Sequence, residues 1–315
     1  MQGWSELRSH CGPLSNTSVA SARPSAIPEA DEWTGKVASQ FSDSFEYWDS
    51  IYSSPKVKAQ VYRNRMAIAT RWARMVAGPG AAAADVGTGA GHFAVVLAKR
   101  GVRVAAIDAS EAMLAQVAEN ASRAGVAELV DPMASDAQRL ELPSATYDVV
   151  VALGLLPWVK RPEIALREMA RITKPGGHVI VTMDNALSLT RGLDPVWHAS
   201  TRGFVRTARR LILGSPAVAP PAYPSATTLN RFDRLLRTAG LSPLEFAGVG
   251  FGPFTFLGRS VLPNSVGLRV DRLLQRLADN NVPLIEHAAI FHIALAMKPI
   301  QGPGSTIQGA SEAGY

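Results

Sequence analysis

Cysteine is nearly absent from this chain. Cys11 is its single copy, so neither an internal disulfide framework nor a cysteine-based metal site can form. That usage suits a reducing cytoplasm, where the chain is expected to reside. Long apolar runs are missing as well: none reaches the ~18 residues of a membrane span, and the apolar stretch 149–159 is broken by Gly154, Pro157 and Trp158. A soluble chain is expected. The apolar core of a secretory signal is also missing, because residues 1–40 are rich in Ser, Ala and Pro without periodicity and read as a disordered extension. Arg8, Arg23 and the serines leave an organelle transit peptide as the alternative reading. Clustered positive charge completes the absences. The formal net charge is +6, yet no run of five basic residues occurs, so nucleic acid is permitted by charge but not signalled.

What is present centres on residues 81–91, AAAADVGTGAG, where a small apolar run ends in Asp85 and is followed by Gly87, Gly89 and Gly91. This reads as a buried strand turning sharply into a helix over 92–100, on which Phe93, Val96 and Leu97 share a face. Glycine has no Cβ, so such a loop takes positive φ and lets a ligand lie against the main chain near the free N–H groups of a helix start. A dinucleotide fingerprint would need a glycine at position 92, which is His92 here. A second apolar strand, 102–107, ends in Asp108, whose carboxylate can accept from both hydroxyls of a ribose. With 315 residues, 47% of them hydrophobic, the chain can bury one large core, and one domain with extensions is expected.

The spacing D-x-G-x-G-x-G, with that acid at the end of the next strand, resembles motif I of the class I S-adenosylmethionine-dependent methyltransferases, in their small-molecule, ubiquinone/menaquinone-methylase-like branch. The likeness continues through Asp108-Ala109-Ser110 with Met113-Leu114, Asp136-Ala137, Tyr147-Asp148-Val149-Val150-Val151, and Lys174-Pro175-Gly176-Gly177 ahead of 179–182. It covers 62–185 well and the rest loosely. The resemblance implies S-adenosyl-L-methionine as cofactor, with Asp85, Gly87, Gly89 and Gly91 forming its loop and Asp108 holding ribose. Ala109 and Met113 would flank adenine, Asp136 and Ala137 would receive its amino group, and Leu153 would open the floor beneath the sulfonium. The implied fold is α/β, a doubly wound, seven-stranded, mostly parallel sheet of the Rossmann-like methyltransferase type.

Periodicity supports the same architecture, because strands and helices alternate through the centre of the chain. Helices are expected over 111–123, where the Ser110 hydroxyl can cap, and over 162–172, opened by Pro162 and stopped before Pro175-Gly176-Gly177. Asp131-Pro132 falls where the third strand should run. Proline cannot donate to a ladder, so that strand should be short or at the sheet edge.

The flanks carry the less regular elements. Residues 41–76 hold aromatic residues at roughly helical spacing and read as two short cap helices, which either pack on the sheet or close over the site. Residues 77–300 form the domain, with a lid over 184–225, and 301–315 are expected to be a disordered tail. Within the lid, 201–213 reads as a basic amphipathic helix, either packed on the domain or touching an anionic membrane surface. A further helix, 227–239, precedes the last two strands. Those are expected over 244–249 and 288–296, around an insertion at 251–264 and a helix at 266–277.

Methyl transfer from a sulfonium is an in-line displacement, in which the protein positions the partners and removes a proton if the acceptor requires it. His198 in the lid is the candidate base. His92 could touch cofactor or simply pack, and His287 and His292 read as structural. Tyr52, Arg63, Trp158 and Asn185 are the candidates for the acceptor pocket, with Tyr62 beside them. Asp184-Asn185 resembles the metal-binding pair of catechol-type enzymes, but the carboxylate those enzymes carry after strand four is replaced here by Leu153 to Pro157, so no metal is expected. The tetrapeptide typical of flipped-base amine methylation is likewise absent, which leaves an RNA methyltransferase or a non-catalytic binding protein as lesser readings. The expected activity is metal-independent methylation of a small or amphiphilic acceptor, at a hydroxyl first and at carbon or nitrogen of a quinone-like or lipid-like molecule as the alternative. No pattern fixes an oligomeric state.

Overall fold

The computed structural model describes residues 32–197, 224–257 and 259–300. Helix α1 (Glu32–Ser42), the short helix α2 (Phe45–Ser50), a 3-10 turn (Ile51–Ser53) and the long helix α3 (Val57–Val76) precede the first strand. From there strands and helices alternate: β1 (Ala82–Val86), α4 (His92–Ala98), β2 (Arg103–Asp108), α5 (Glu111–Arg123), β3 (Val130–Ala134), β4 (Tyr147–Ala152), α6 (Pro162–Ile172) and β5 (Thr173–Asp184). The remaining described elements are α7 (Leu189–Leu193), α8 (Leu229–Thr238), β6 (Ser242–Val249), the hairpin β7 (Thr255–Phe256) and β8 (Arg259–Ser260), α9 (Asn264–Asp279) and β9 (Phe291–Met297).

Seven strands form one sheet in the order β3-β2-β1-β4-β5-β9-β6. β9 runs antiparallel to both of its neighbours, β5 and β6, and the other pairings are parallel. The chain starts at β1 near the centre, winds outward to β3, then returns to β4 on the other side of β1. Between β1 and β4 the winding direction reverses, and the strand ends there leave the crevice in which α/β sheets bind ligands. The glycine loop leaves β1 at that point.

Both faces of the sheet are covered, as parallel strands require. On one face, Leu166 and Met169 of α6 and Phe232 and Leu236 of α8 pack on Val150, Val179 and Val181. On the other, Trp72 of α3, Phe93 and Leu97 of α4 and Val117 of α5 pack on Val104, Val149, Val151 and Ile180. The central strands alternate between these two layers, so an uninterrupted apolar strand sequence is what the geometry demands.

Helices α5 and α6 fall on the expected residues, and the Ser110 hydroxyl accepts from the Met113 N–H at 3.2 Å. β3 has five residues and occupies the sheet edge. An edge strand has one row of backbone groups that needs no ladder partner, which is where Pro132 is tolerated. Two boundaries differ from expectation. Helical structure begins at Glu32 rather than near 41, and the second cap helix is the 20-residue α3 rather than a short one. No residue of α1 is fully buried, but Trp33, Val37 and Phe41 repeat at helical spacing and are partly buried. It is also tied down by remote contacts: Trp33 Nε1 donates to the Trp158 carbonyl at 2.7 Å, and the Ser42 and Ser110 hydroxyls lie 2.8 Å apart. The 201–213 helix and His198 lie outside the described residues.

Candidate functional site

The loop after β1 takes its shape from its glycines, with φ of 68°, 56° and 76° at Gly87, Gly89 and Gly91. Close packing adds a second constraint at two of them. A Cβ on Gly87 would stand 2.8 Å from the Leu155 side chain, and one on Gly91 would stand 2.9 Å from Val117. A Cβ on Gly89 would meet nothing within 4 Å, because this residue borders a cavity of about 610 Å³. Gly91, by contrast, does not line the cavity. Its role is to let the loop enter α4 against α5, which corrects its expected place among the cofactor contacts.

Three carboxylates stand on the donor side of this cavity. Asp85 closes β1, and its Oδ2 accepts from the Thr88 hydroxyl at 2.7 Å. Burial pushes the Asp85 carboxyl up to about 6, with the Thr88 hydrogen bond pulling the other way. Asp108 Oδ2 accepts from Gly89 N–H at 2.9 Å and Oδ1 from Ser110 N–H at 3.0 Å, so it locks the glycine loop to the start of α5. Burial also raises the Asp108 carboxyl, opposed by those backbone donors. Each oxygen keeps a further lone pair, which is what a vicinal diol needs. Asp136 Oδ1 accepts from Gln138 N–H at 2.8 Å. Ala109, Met113, Ala137 and Leu153 line the same cavity.

The opposite wall is aromatic and comes from distant parts of the chain. Phe41 of α1 meets Trp158 edge-on at 5.1 Å, Trp48 of α2 meets Tyr62 of α3 at 5.8 Å, and Tyr62 lies 6.1 Å from Phe291 of β9. Tyr52 contacts His92 at 4.9 Å. Tyr52 and Trp158 therefore stand where expected, and His92 lines the cavity beside them. Burial pushes the Tyr62 phenol up, so it is a neutral hydroxyl throughout the physiological range.

Two acceptor-side assignments are corrected. Arg63 does not line the cavity. It donates to the Tyr52 and Ser54 carbonyls at 2.9 and 2.8 Å and to Gln60 at 3.1 Å, stapling the turn before α3. Asn185 is buried with its amide committed: Nδ2 donates to the His287 and Ala289 carbonyls at 2.6 and 2.8 Å, and Oδ1 accepts from Leu187 N–H. Its carbonyl oxygen is thus bound to backbone and not offered to a metal beside Asp184. Asp184 itself reaches the cavity, held by Arg191 Nη2 at 2.7 Å, while Arg191 lies over the Trp197 ring. Burial pushes the Asp184 carboxyl up to about 6 despite the Arg191 charge. His292 is buried and held down to about 4 by that burial and then by His287, which leaves it a neutral core residue.

Arg65 was not among the expected site residues. It is 6% exposed, lines the cavity, and has its guanidinium 4.6 Å from the Tyr62 ring centroid and 5.6 Å from that of Phe291. Its Nε has no hydrogen-bond partner. The signal was available: Val57, Val61, Arg65, Ile68 and Trp72 repeat at helical spacing, so Arg65 interrupts the inward stripe of α3, whereas Arg63 lies off it.

The residues present fit S-adenosylmethionine. Gly89 leaves open space against the main chain, Asp108 offers acceptors for a ribose diol, and Arg65 puts a positive charge in the cavity lining that suits an amino-acid carboxylate.

Comparison with known proteins agrees. Residues 84–181 match a family model described as a methyltransferase domain. The demethylmenaquinone methyltransferase of Mycobacterium tuberculosis is 39% identical over 126 residues, 39% of this chain and 50% of that one. The ubiquinone biosynthesis O-methyltransferase of Ralstonia nicotianae is 26% identical over 58% of this chain and 71% of that one. The chain spans about half the length of the first of these relatives. Magnesium protoporphyrin IX methyltransferase from Synechocystis, solved with bound SAH, superposes with a TM-score of 0.56 at 16% identity, covering 85% of this chain and 100% of that one. That likeness shows the fold. Residues 84–181 thus match a methyltransferase domain, and the glycine loop at 85–91 lies within that match.

Proposed function

We propose that this protein transfers a methyl group from S-adenosylmethionine to a hydroxyl of a small, largely apolar acceptor, without a metal. The observation that carries the reading is the single cavity of about 610 Å³ that joins the Asp108 loop to the aromatic wall. Ligand pockets commonly span ~300–1,000 Å³, so a cofactor and a small acceptor can share this one.

The bound cofactor supplies a methyl carbon on a positively charged sulfur. Asp108 holds the ribose, Asp136 accepts from the adenine amino group, and Arg65 pairs with the amino-acid carboxylate. The aromatic wall excludes water and presents flat apolar surface to the acceptor. Asp184, at the end of β5 with its carboxyl pushed up to about 6, is the cavity carboxylate away from the glycine loop suited to take the acceptor's proton at neutral pH. His198 remains the candidate from the lid.

A quinone-like acceptor methylated at carbon, or a lipid-like one at nitrogen, is the second reading, and the mycobacterial relative favours the quinone-like form. An acceptor panel of phenols, quinols and lipid amines, run with labelled methyl donor with and without chelator, tests all of these. Label in a phenol or quinol ether, insensitive to chelator, is the expected result. Label on ring carbon would select the second reading, and loss of turnover in chelator would overturn metal independence.

A further inference from the structure

We propose that the segment from β7 through α9 is a surface that binds an anionic lipid bilayer beside the mouth of the cavity. The two aromatic residues of the hairpin differ in burial. Phe254 packs inward with Phe251, Leu274 and Ala278, while Phe256 is 52% exposed. Phe256 lies directly across the ladder from the exposed Arg259. The next residue, Leu257, is 41% exposed and holds φ of 52°, a strained conformation for leucine that a turn ordinarily gives to glycine or asparagine. Val261, 57% exposed, follows in the connection to α9.

α9 continues the pattern on its outer face. Gly267, Asp271, Gln275 and Ala278 form the buried line of the helix. At about 100° per residue, Val266, Arg269, Arg272, Leu273 and Arg276 fall on the opposite arc, and all five are exposed. Charge is one-sided here. Residues 250–279 contain Arg259, Arg269, Arg272 and Arg276 against two acids: the exposed Asp279 at the end of α9, which accepts from Gln275 Nε2, and Asp271. Asp271 is 0% exposed, with Oδ1 accepting from the Phe251 and Gly252 N–H groups. Among the described residues the surface therefore offers four cations interleaved with apolar side chains and one exposed carboxylate, Asp279, at the helix end.

That composition selects the occupant. A nucleic-acid backbone or an acidic protein surface would be met by the arginines alone and leave the exposed apolar side chains unused. A bilayer with anionic headgroups takes both: arginines pair with phosphates while Phe256, Leu257, Val261 and Val266 enter the interfacial layer. The placement also matters. Pro253 and Thr255 line the cavity, and the Thr255 hydroxyl donates to Asp194 Oδ2 at 2.6 Å, so the patch starts at the cavity rim. An apolar acceptor dissolved in the bilayer would then be delivered at the site.

The test is sedimentation of the full chain with phosphatidylglycerol/phosphatidylcholine vesicles and with pure phosphatidylcholine vesicles. Two variants accompany it, F256S/L257S and R269Q/R272Q/R276Q, each checked by thermal unfolding and by calorimetric affinity for S-adenosylmethionine. The expected result is binding to the anionic vesicles alone, weakened by salt. Each arginine near such a surface is worth roughly fivefold in partitioning, so the triple variant should bind about a hundredfold more weakly, and the hairpin variant should also lose binding with cofactor affinity unchanged. No binding by the parent chain overturns the proposal. So does binding that both variants retain, which would place attachment elsewhere. Retention by the hairpin variant together with equal affinity of the parent for single-stranded RNA overturns it in favour of a phosphate-polymer surface.

Discussion

The two walls of the cavity are built in different ways. The donor wall comes from consecutive strand–helix units: Asp85 and the glycine loop after β1, Asp108 after β2, and Asp136 after β3. Its contacts are short hydrogen bonds from main-chain N–H groups and the Thr88 hydroxyl to carboxylates. The acceptor wall gathers α1, α2, α3, the segment after β4, α7 and β9, and its contacts are ring edges and the guanidiniums of Arg65 and Arg191 stacked on rings. A wall of fixed backbone dipoles holds one ligand in one pose. A wall of remote aromatic side chains can change shape while the donor wall stays as it is, which lets one cofactor scaffold serve many acceptors.

The largest effect should come from the donor wall. Asp108→Ala removes the acceptor for the ribose and leaves the Gly89 and Ser110 N–H groups without their carboxylate. Hydrogen bonds to charged groups contribute ~1.5–3 kcal/mol each, so calorimetry should show S-adenosylmethionine affinity falling by about 3 kcal/mol or more. Tighter binding of the same variant would break the distinction between the walls.

Asp85→Asn should act on stability more than on affinity, and in a pH-dependent manner. Burial raises the folded carboxyl from its ordinary 3.8 to about 6, so the folded chain holds this proton more tightly than the unfolded one. The stability from that proton is fully present below the unfolded value and is lost as pH rises through the folded one. One pKa unit corresponds to ~1.4 kcal/mol, so the loss at neutral pH is roughly 3 kcal/mol. Asparagine can still accept from Thr88 without the buried charge. Denaturant unfolding should therefore find the variant more stable than the parent at neutral pH, with the advantage vanishing towards pH 4.

Arg65→Met tests the one charged group on the aromatic wall that is assigned to the donor. Donor affinity should drop by about 1.5–3 kcal/mol. Thermal stability should hold or rise, because an incompletely bonded buried cation gives way to an apolar chain. A sharp loss of stability with unchanged donor affinity would make Arg65 a purely structural residue.

The smallest effects separate two glycines within one loop. Gly91→Ala, at φ 76° and against Val117, should destabilise the fold by about 1 kcal/mol or more while leaving affinity per folded molecule intact. Gly89→Ala meets open cavity instead, so it should pay in donor affinity beyond its similar backbone strain. Melting curves paired with calorimetry distinguish the two.

Apart from Gly91, the residues that line the donor side of the cavity could be read from the sequence because each part of that wall is local. A strand, a glycine loop and a helix cap are specified within a few residues, and the interval to Asp108 follows from one crossover unit. The acceptor wall was legible only as an aromatic series. Tyr52 and Trp158 reach it, but Arg63 and Asn185 have their hydrogen bonds taken up by main-chain carbonyls of the turn before α3 and of the 287–289 segment. No local pattern announces such partners. Arg65 shows the converse, since its position in the inward stripe of α3 was readable from periodicity and was passed over for the residue beside Tyr62.

By itself, the sequence determined the alternation of strands and helices, the glycine loop and the cofactor carboxylates, because hydrophobic period, backbone freedom and capping act over one or two turns of chain. Only the tertiary structure decided which cation is buried in the cavity, which amide is spent on the backbone, and that α1, with no buried residue of its own, joins the site through Trp33 and Ser42. Each of those outcomes depends on a contact between segments more than a hundred residues apart, whose energy exists only once the sheet has brought the segments together.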